Sequence, residues 1–259
     1  MPLQTLLTDT DPPSFRELRG EGGSDFVLTA DHAGRAVPRA LGDLGVPAAE
    51  WQRHIAWDIG IGAVTERLSA ALDAAAVLQT YSRLVIDCNR RPDWDSSTPT
   101  VSEHTPIPGN RDISQAEREA RRREIFDPYH GRIAALLDRR KTAGRRTVLV
   151  AMHSFTPVFK GERRNVAVGV LYNRDIRLAA IMLDLFRAEG DLVVGDNAPY
   201  AITDTSDYTV PVHGEGRGLP HVEIEIRQDL IAEPAGQDAW AARLARLLPL
   251  ADARLRGLA

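Results

Sequence analysis

Apolar positions fall into two kinds of block along this chain. Short continuous runs occur at Phe26-Val27-Leu28-Thr29-Ala30, at 147–152, in "VAVGVLY" at 166–172, in "LVVGD", and in "HVEIEI" at 221–226. "AAVLQT" and "SRLVID" add two more between about 75 and 87. Runs of this length bounded by breakers predict strands, several of them buried on both faces. Longer blocks carry helical spacing. Residues 47–73 open at Pro47 and are apolar at Ile55, Ile59, Val64 and Leu68. Ser114-x-x-Glu117 is a capping-box pattern that starts a charged helix to about 142, bent at Pro128. Asp175 caps a helix that ends at Gly190, and 236–256 is an amphipathic closing helix. Three segments have no period: a lead-in over 1–24 broken by Pro12-Pro13, Gly20, Gly22 and Gly23, then 91–113 and 197–219. Ordered loops as long as 91–113 inside a domain tend to be functional. Strands alternate with helices, which predicts one α/β domain over 25–259 with a mostly parallel sheet.

Two of these strands end in a histidine. "FVLTA" runs into Asp31-His32-Ala33-Gly34, and "LVAM" runs into His153-Ser154. Ligands of open α/β sheets bind at the carboxyl ends of the strands. One histidine at a strand end needs no function; two at equivalent places suggest a metal, since imidazole is the commonest zinc ligand. A catalytic zinc often takes two histidines and one carboxylate and keeps a position for water. The third ligand would come from His54-Ile55-Ala56-Trp57-Asp58, which sets His54 and Asp58 four apart on one helical face. Asp58 is preferred, with His54 the alternative.

Two further clusters carry polar chemistry. In "SRLVIDCNRR" a strand is expected to end in Asp87, Asn89, Arg90 and Arg91. Arginine forks around a carboxylate and asparagine adds a donor, so Asn89 and Arg90 suit a substrate with a free carboxylate. Arg83 shares a strand face with Val85 and Asp87 and is expected partly buried against a carboxylate; Arg91 reads as a solvated loop residue. In "HVEIEIR", Glu223, Glu225 and Arg227 lie on one face of a strand whose other face is apolar. They fit a solvated strand face as well as a site in which a glutamate acts as general base. His130 reads as a surface residue, and "GEGRG" at 214–218 as a flexible turn.

Composition narrows the class. The 259 residues are 43% hydrophobic, with 32 basic against 36 acidic residues and a net charge of −4. That balance argues against a general nucleic-acid or anionic-membrane binder. The one cysteine, Cys88, can form no internal disulfide and excludes a cysteine-based zinc site. The N-terminus has no basic start and no long apolar run, and no run approaches the roughly 20 residues of a membrane helix, so a cytoplasmic protein is expected. No Gly-x-Ser-x-Gly is present, so a serine-hydrolase mechanism has no support.

The stretches "ADHAGRAVP", "HIAWDIG", "YSRLVIDCNR", "TPIPGNR", "MHSFTP" and "HVEIEIRQDLI" together resemble the N-formylglutamate amidohydrolase family, in order from about 25 to 232. That family is similar to the zinc carboxypeptidase and aspartoacylase hydrolases. The resemblance implies a mixed central sheet flanked by helices, one zinc per chain, and a glutamate base. By position it implies His32 and His153 as two ligands and Asp58 as the third. It matches Asn89-Arg90 to a pair that grips the substrate carboxylate, and Glu225 to the general base. Arg83, and Asn110 and Arg111 in the 91–113 loop, complete the expected substrate-binding set. Asp31 and Ser154 are expected to orient the imidazoles. Where the carboxypeptidase pattern has an acid three residues after the first histidine, this chain has Arg35.

The expectation is therefore a zinc-dependent amidohydrolase of a small N-acyl amino acid, of which N-formylglutamate is the type. The alternatives are a carboxypeptidase-like or peptidoglycan-derived amide hydrolase on the same site, and a non-catalytic protein that binds small acids. The sequence leaves the oligomeric state open.

Overall fold

Eleven strands and five helices are ordered along residues 5–257, which the computed structural model describes. The strands are β1 (Phe15–Leu18), β2 (Phe26–Ala30), β3 (Ala75–Gln79), β4 (Val101–Ser102), β5 (Thr105–Pro106), β6 (Val148–Phe155), β7 (Val158–Phe159), β8 (Glu162–Arg163), β9 (Val168–Leu171), β10 (Val194–Asp196) and β11 (His221–Arg227). The helices are α1 (Ile61–Leu72), α2 (Gln115–Arg121), α3 (Asp127–Thr142), α4 (Arg177–Glu189) and α5 (Pro234–Leu255).

Seven strands form one sheet in the order β1-β3-β2-β6-β11-β9-β10. β3, β2, β6 and β11 run parallel to one another, β9 is antiparallel to β11, and β1 is an antiparallel edge. The fold is a single α/β domain with a mixed, mostly parallel sheet flanked by helices. Every residue of β2 and β6 is buried, as expected for strands covered on both faces. Alternation divides their side chains. Leu28, Val150, Met152, Val222, Ile224 and Ile226 pack with α1, α4 and α5 in one core. Val27, Val77 and Leu149 face the other way, onto Tyr129, Ile133 and Leu136 of α3. Parallel register pairs Glu225 with His153 and Glu223 with Ala151, so both glutamates share the α3-side face with His153.

Several expectations change. The lead-in over 1–24 is not wholly irregular, because Phe15–Leu18 pairs with β3 as an edge strand. The predicted helix over 47–73 begins only at Ile61. Residues 47–60 form turns, and Gly60 stands just before the helix in the left-handed region (φ +82). His54 and Asp58 therefore do not share a helical face. "SRLVID" is not a strand. Ser82 Oγ accepts from Leu84 N (3.1 Å), and Val85 N donates to Ser82 O (2.9 Å), so local bonds replace a ladder. β6 runs through His153 to Phe155, so the histidine lies within the strand rather than after it. "GEGRG" follows a wide turn at Val210–Gly214 and contains a short helical turn at Glu215–Arg217.

The Ser114 capping box is formed as expected, with Ser114 accepting from Glu117 N. The bend at Pro128 takes the form of a wide π-type turn over Arg122–Phe126 between α2 and α3. Such a turn accommodates the missing proline N–H and its ring. Asp175 Oδ1 accepts from Arg177 N at the start of α4 (3.1 Å), and Gly190 ends that helix.

Gly60 makes the turn into α1 possible twice over. Its φ is +82, and a Cβ there would stand 2.1 Å from Ile231 O. Gly60→Ala should lower the unfolding free energy by about 2 kcal/mol or more, from left-handed strain plus the backbone clash. Gly190→Ala has a similar left-handed φ (+74) and no atom within 4 Å, so it should cost only about 1 kcal/mol. Urea unfolding of both proteins checks this; equal losses would show that the Ile231 contact relaxes at no cost.

Candidate metal centre and its cavity

The carboxyl ends of β2, β6 and β11 open into a cavity of about 410 Å³. Each end delivers titratable groups. β2 runs into Asp31 and His32, β6 carries His153, and β11 carries Glu223 and Glu225; all five are buried. The turns before α1 bring in Asp58, tied down by its own N–H to His32 O (2.9 Å). Ser154 braces the same turn. Its N–H donates to Asp58 Oδ2 (3.2 Å) and its Oγ donates to Ile59 O (2.9 Å).

Asp58 Oδ2 stands 3.0 Å from His153 Nδ1 and 3.5 Å from His32 Nδ1. These three side chains can place one ligand atom each within 4.8 Å of one another. His32 Nδ1 is buried with no hydrogen-bond partner, as an atom reserved for an ion would be. Two imidazoles and a carboxylate also match the chemistry of zinc ligands. The opposite ring nitrogens have carboxylates of their own. His32 Nε2 lies 2.7 Å from Asp87 Oδ1, and His153 Nε2 lies 3.3 Å from Asp31 Oδ2. The Asp87 contact is a hydrogen bond of the kind that fixes the tautomer of a metal-binding histidine, whereas His153 Nε2 and Asp31 Oδ2 approach without forming one. Asp31 is itself held, accepting from Tyr129 Oη (2.7 Å) and Thr209 Oγ1 (2.8 Å). Burial by itself would push Asp31 up, but the His153 imidazole outweighs it and leaves the carboxyl well below its usual range. The His/Asp/His group could therefore hold a metal ion.

The two strand glutamates behave differently from these acids. Burial pushes Glu225 up to about 7, against the pull of His153 and with help from Asp58. Glu223 is also raised, by burial first, although His153 opposes it. Glu223 Oε2 stands 3.9 Å from His153 Nε2. Oε2 of each glutamate is buried with no partner. The solvated-face alternative for this strand is thus removed.

The other expected residues fall in different places. Arg83 lines the cavity; it pairs with Asp87 at 2.9 Å and with Asp58 at 3.4 Å. Arg90 lines it too, 3.7 Å from Asp207 and donating to Asn89 O. Asn89 touches the cavity, but its side chain is committed. Oδ1 accepts from Tyr208 N and Thr209 N (both 3.0 Å), and Nδ2 donates to Asp207 (3.0 Å). Asn110 is fully buried beneath the loop, donating to Leu84 O and Pro99 O and accepting from Arg121. Arg111 is exposed, and neither it nor Asn110 lines the cavity. His54 lines the wall and faces Glu103 at 3.5 Å, outside the His32–Asp58–His153 group. His130 is not a surface residue. It is buried, donating from Nε2 to Cys88 O (2.7 Å), with His213 3.0 Å from Nδ1.

Glu103, Phe159, Tyr200 and Asp207 also line the cavity. They come from irregular segments and a two-residue strand, so no periodicity marks them. Tyr129, which holds Asp31, sits on the apolar face of α3 and looks like a core residue in sequence.

Comparison with known proteins places this geometry. The profile of N-formylglutamate amidohydrolases matches residues 24–232. The chain belongs to the N-formylglutamate amidohydrolase family. Within the family match lie all the cavity groups named above. The crystal structure of gene product Atu2144 from Agrobacterium tumefaciens is 39% identical, covers 97% of this chain and 99% of that one, and superposes with a TM-score of 0.93. N-formylglutamate amidohydrolase from Ralstonia eutropha JMP134 is 19% identical over 95% of this chain and 100% of that one, with a TM-score of 0.67, and shows the same fold. No match is found among curated proteins. Family membership supports amidohydrolase activity, and hence a small-molecule substrate. No described helix is long and apolar enough to cross a membrane.

The hydrogen bonds of Asn89 make it a brace for the 207–209 segment. Asn89→Ala should destabilise the protein by about 2 kcal/mol, because it strands buried N–H donors. Arg111→Ala, at an exposed position, should stay within about 0.5 kcal/mol of the parent. Thermal and urea unfolding measure both. An Asn89→Ala protein of full stability that fails only in ligand binding would instead make Asn89 a ligand-binding group.

Proposed function

We propose that this chain is a metal-dependent amidohydrolase that cleaves the amide bond of a small N-acyl amino acid, the class that includes N-formylglutamate. The observation that carries this reading is the convergence of His32 Nδ1, His153 Nδ1 and Asp58 Oδ2 beside the unpartnered carboxylate of Glu225 in one cavity. His32, Asp58 and His153 would hold one zinc ion. Zinc bound there supplies a Lewis acid that acidifies water and polarises the amide carbonyl.

The remaining steps belong to the side chains. Asp87 holds the His32 imidazole by a hydrogen bond and Asp31 flanks that of His153, with both Nδ1 atoms facing Asp58. Burial raises the Glu225 carboxyl, and a cation at the neighbouring histidines would draw it back down, leaving a carboxylate able to take a proton at neutral pH. It removes a proton from the attacking water and delivers it to the nitrogen of the leaving amine. Arg90 meets the substrate's carboxylate through charge-assisted hydrogen bonds. Arg83, fixed between Asp58 and Asp87, presents a guanidinium to the same space.

Metal analysis of the purified protein should find about one zinc per chain. His32→Ala, His153→Ala and Asp58→Ala should each lose metal and activity together, and His54→Ala should keep both. Full metal in Asp58→Ala with loss in His54→Ala would move the third ligand. Glu225→Gln should retain metal and substrate affinity but lose about 100-fold or more in kcat. Glu223→Gln, one pleat further from the carboxyl end of β11, should be much milder. Near-normal turnover by Glu225→Gln would remove Glu225 as the base.

A further inference from the structure

The arginines around the cavity differ in how far acids already engage them. Arg83 lies between two carboxylates, Asp87 at 2.9 Å and Asp58 at 3.4 Å. Arg90 has one, Asp207, at the looser distance of 3.7 Å. Arg53 pairs with Glu50 and Glu103. Arg164 differs from all three. Among the described residues it meets no carboxylate, and its guanidinium makes one hydrogen bond, donating to Tyr200 Oη at 2.6 Å. Its backbone N–H donates to Pro157 O (2.9 Å), which continues the β7–β8 pairing by one step and returns Arg164 to the side of Phe159.

The guanidinium lies 5.8, 4.7 and 4.6 Å from the ring centroids of Phe155, Phe159 and Tyr200, all of which line the cavity. Contact with aromatic rings uses the faces of a guanidinium, and a carboxylate forks onto its N–H edges, so the rings hold Arg164 without consuming what binds an anion. The Tyr200 hydroxyl accepts from Arg164 and keeps its own proton for a second acceptor. Burial raises the Tyr200 phenol and Glu225 adds to this, while Arg164 and Arg83 oppose it, so the phenol stands in the field of both ends of the cavity. Arg164 itself is half-buried and outside the lining, so an anion meets it at the edge of the aromatic wall rather than at the histidines. Glu103, which faces His54 beside Phe159, is already engaged by Arg53 and by Lys160 N (2.9 Å), and so opposes such an anion little. Lys160 Nζ also lies 5.5 Å from the Phe159 centroid, but Lys160 is exposed and no hydrogen bond among the described residues orients its ammonium.

We propose that Arg164, oriented by Tyr200, is a specificity-determining residue: it receives a carboxylate on the substrate's side chain, while Arg90 holds the α-carboxylate. The rings of Phe155, Phe159 and Tyr200 cover the methylene groups between the two ends. This inference deepens the amidohydrolase reading by assigning side-chain choice to one arginine. It rests on that reading for the bond that is cleaved, but not for the binding preference.

The test compares N-formyl-L-glutamate with N-formyl-L-glutamine, which matches it in size and lacks the second charge. Turnover is measured on the zinc-loaded full chain, and binding by calorimetry on the zinc-loaded Glu225→Gln protein. The parent should favour the glutamate compound by about tenfold or more in kcat/KM and in affinity. Arg164→Met should bring that ratio close to one, chiefly through a higher KM for the glutamate compound. Arg164→Lys should recover part of the ratio, Tyr200→Phe should lower it partway, and Lys160→Met should leave it near the parent value. Thermal unfolding checks that each variant is folded, and Arg164→Gln replaces Arg164→Met if that protein is not. A parent without the preference overturns the inference, as does a folded Arg164→Met or Arg164→Gln protein that keeps it, or a Lys160→Met protein that loses it while Arg164→Met does not. Failure of both compounds to bind overturns it too. If neither compound is hydrolysed but the glutamate compound binds tighter and loses that advantage with Arg164→Met, the inference stands and the hydrolase reading fails.

Discussion

A single carboxylate oxygen, Asp58 Oδ2, facing the Nδ1 atoms of two buried imidazoles is the constraint around which this protein is built. Three ionisable groups so close together and away from water are costly unless each is paired or holds an ion. The surrounding chain answers that cost group by group. Asp87 lies behind His32 and Asp31 behind His153, while Arg83 spans Asp58 and Asp87. Tyr129 and Thr209 then donate to Asp31. The network reaches from the His32–Asp58–His153 group into the helical layer, so α3 and the 207–209 segment serve the site without lining its centre.

The fold makes this affordable by assigning rigid and irregular parts to different tasks. The histidines and glutamates come from β2, β6 and β11 or the residue pair just past a strand, three parallel neighbours whose register puts Glu225 beside His153. Ligands held this way have little slack. Asp58 is the exception, standing in a turn. That turn is pinned by the bond from Asp58 N to His32 O, by Ser154, and by the left-handed Gly60 packed against Ile231 O. Backbone bonds thus give a turn residue the fixity that a strand would.

What the sequence revealed and hid follows from the same division. The central strands were legible because continuous apolar runs have few other uses, and the two histidines stood out because they interrupt such runs. Glu223 and Glu225 were visible as an alternating pair, but their burial was not; alternation looks the same whether the polar face meets water or a cavity. The helical spacing of Ile55 and Ile59 suggests a helix through 47–60, where Ile55 is instead buried from a turn and Ile59 is half-buried. "SRLVID" looked like a strand because a serine that caps its own turn leaves no trace in hydropathy. Asn110 and Arg111 lay next to a motif of the right composition, yet Asn110 is used to close the loop over Arg121 and Arg111 points away. Asn89 seemed suited to a substrate and instead holds backbone N–H groups. A polar side chain's partner is a matter of tertiary distance, which spacing does not encode.

The cavity also draws its lining from two kinds of chain. His153, Glu223 and Glu225 lie on the sheet, where a shift of one residue would turn them to the opposite face. Phe159, Tyr200, Glu103, Ser206 and Asp207 lie in loops and a two-residue hairpin strand. Loops tolerate substitution better than the strands that carry them. A family sharing these strand-borne groups can therefore change what it binds by altering the wall, with the histidines and glutamates untouched. Sequence likeness in the strand motifs then says more about the bond that is attacked than about the side chain that accompanies it.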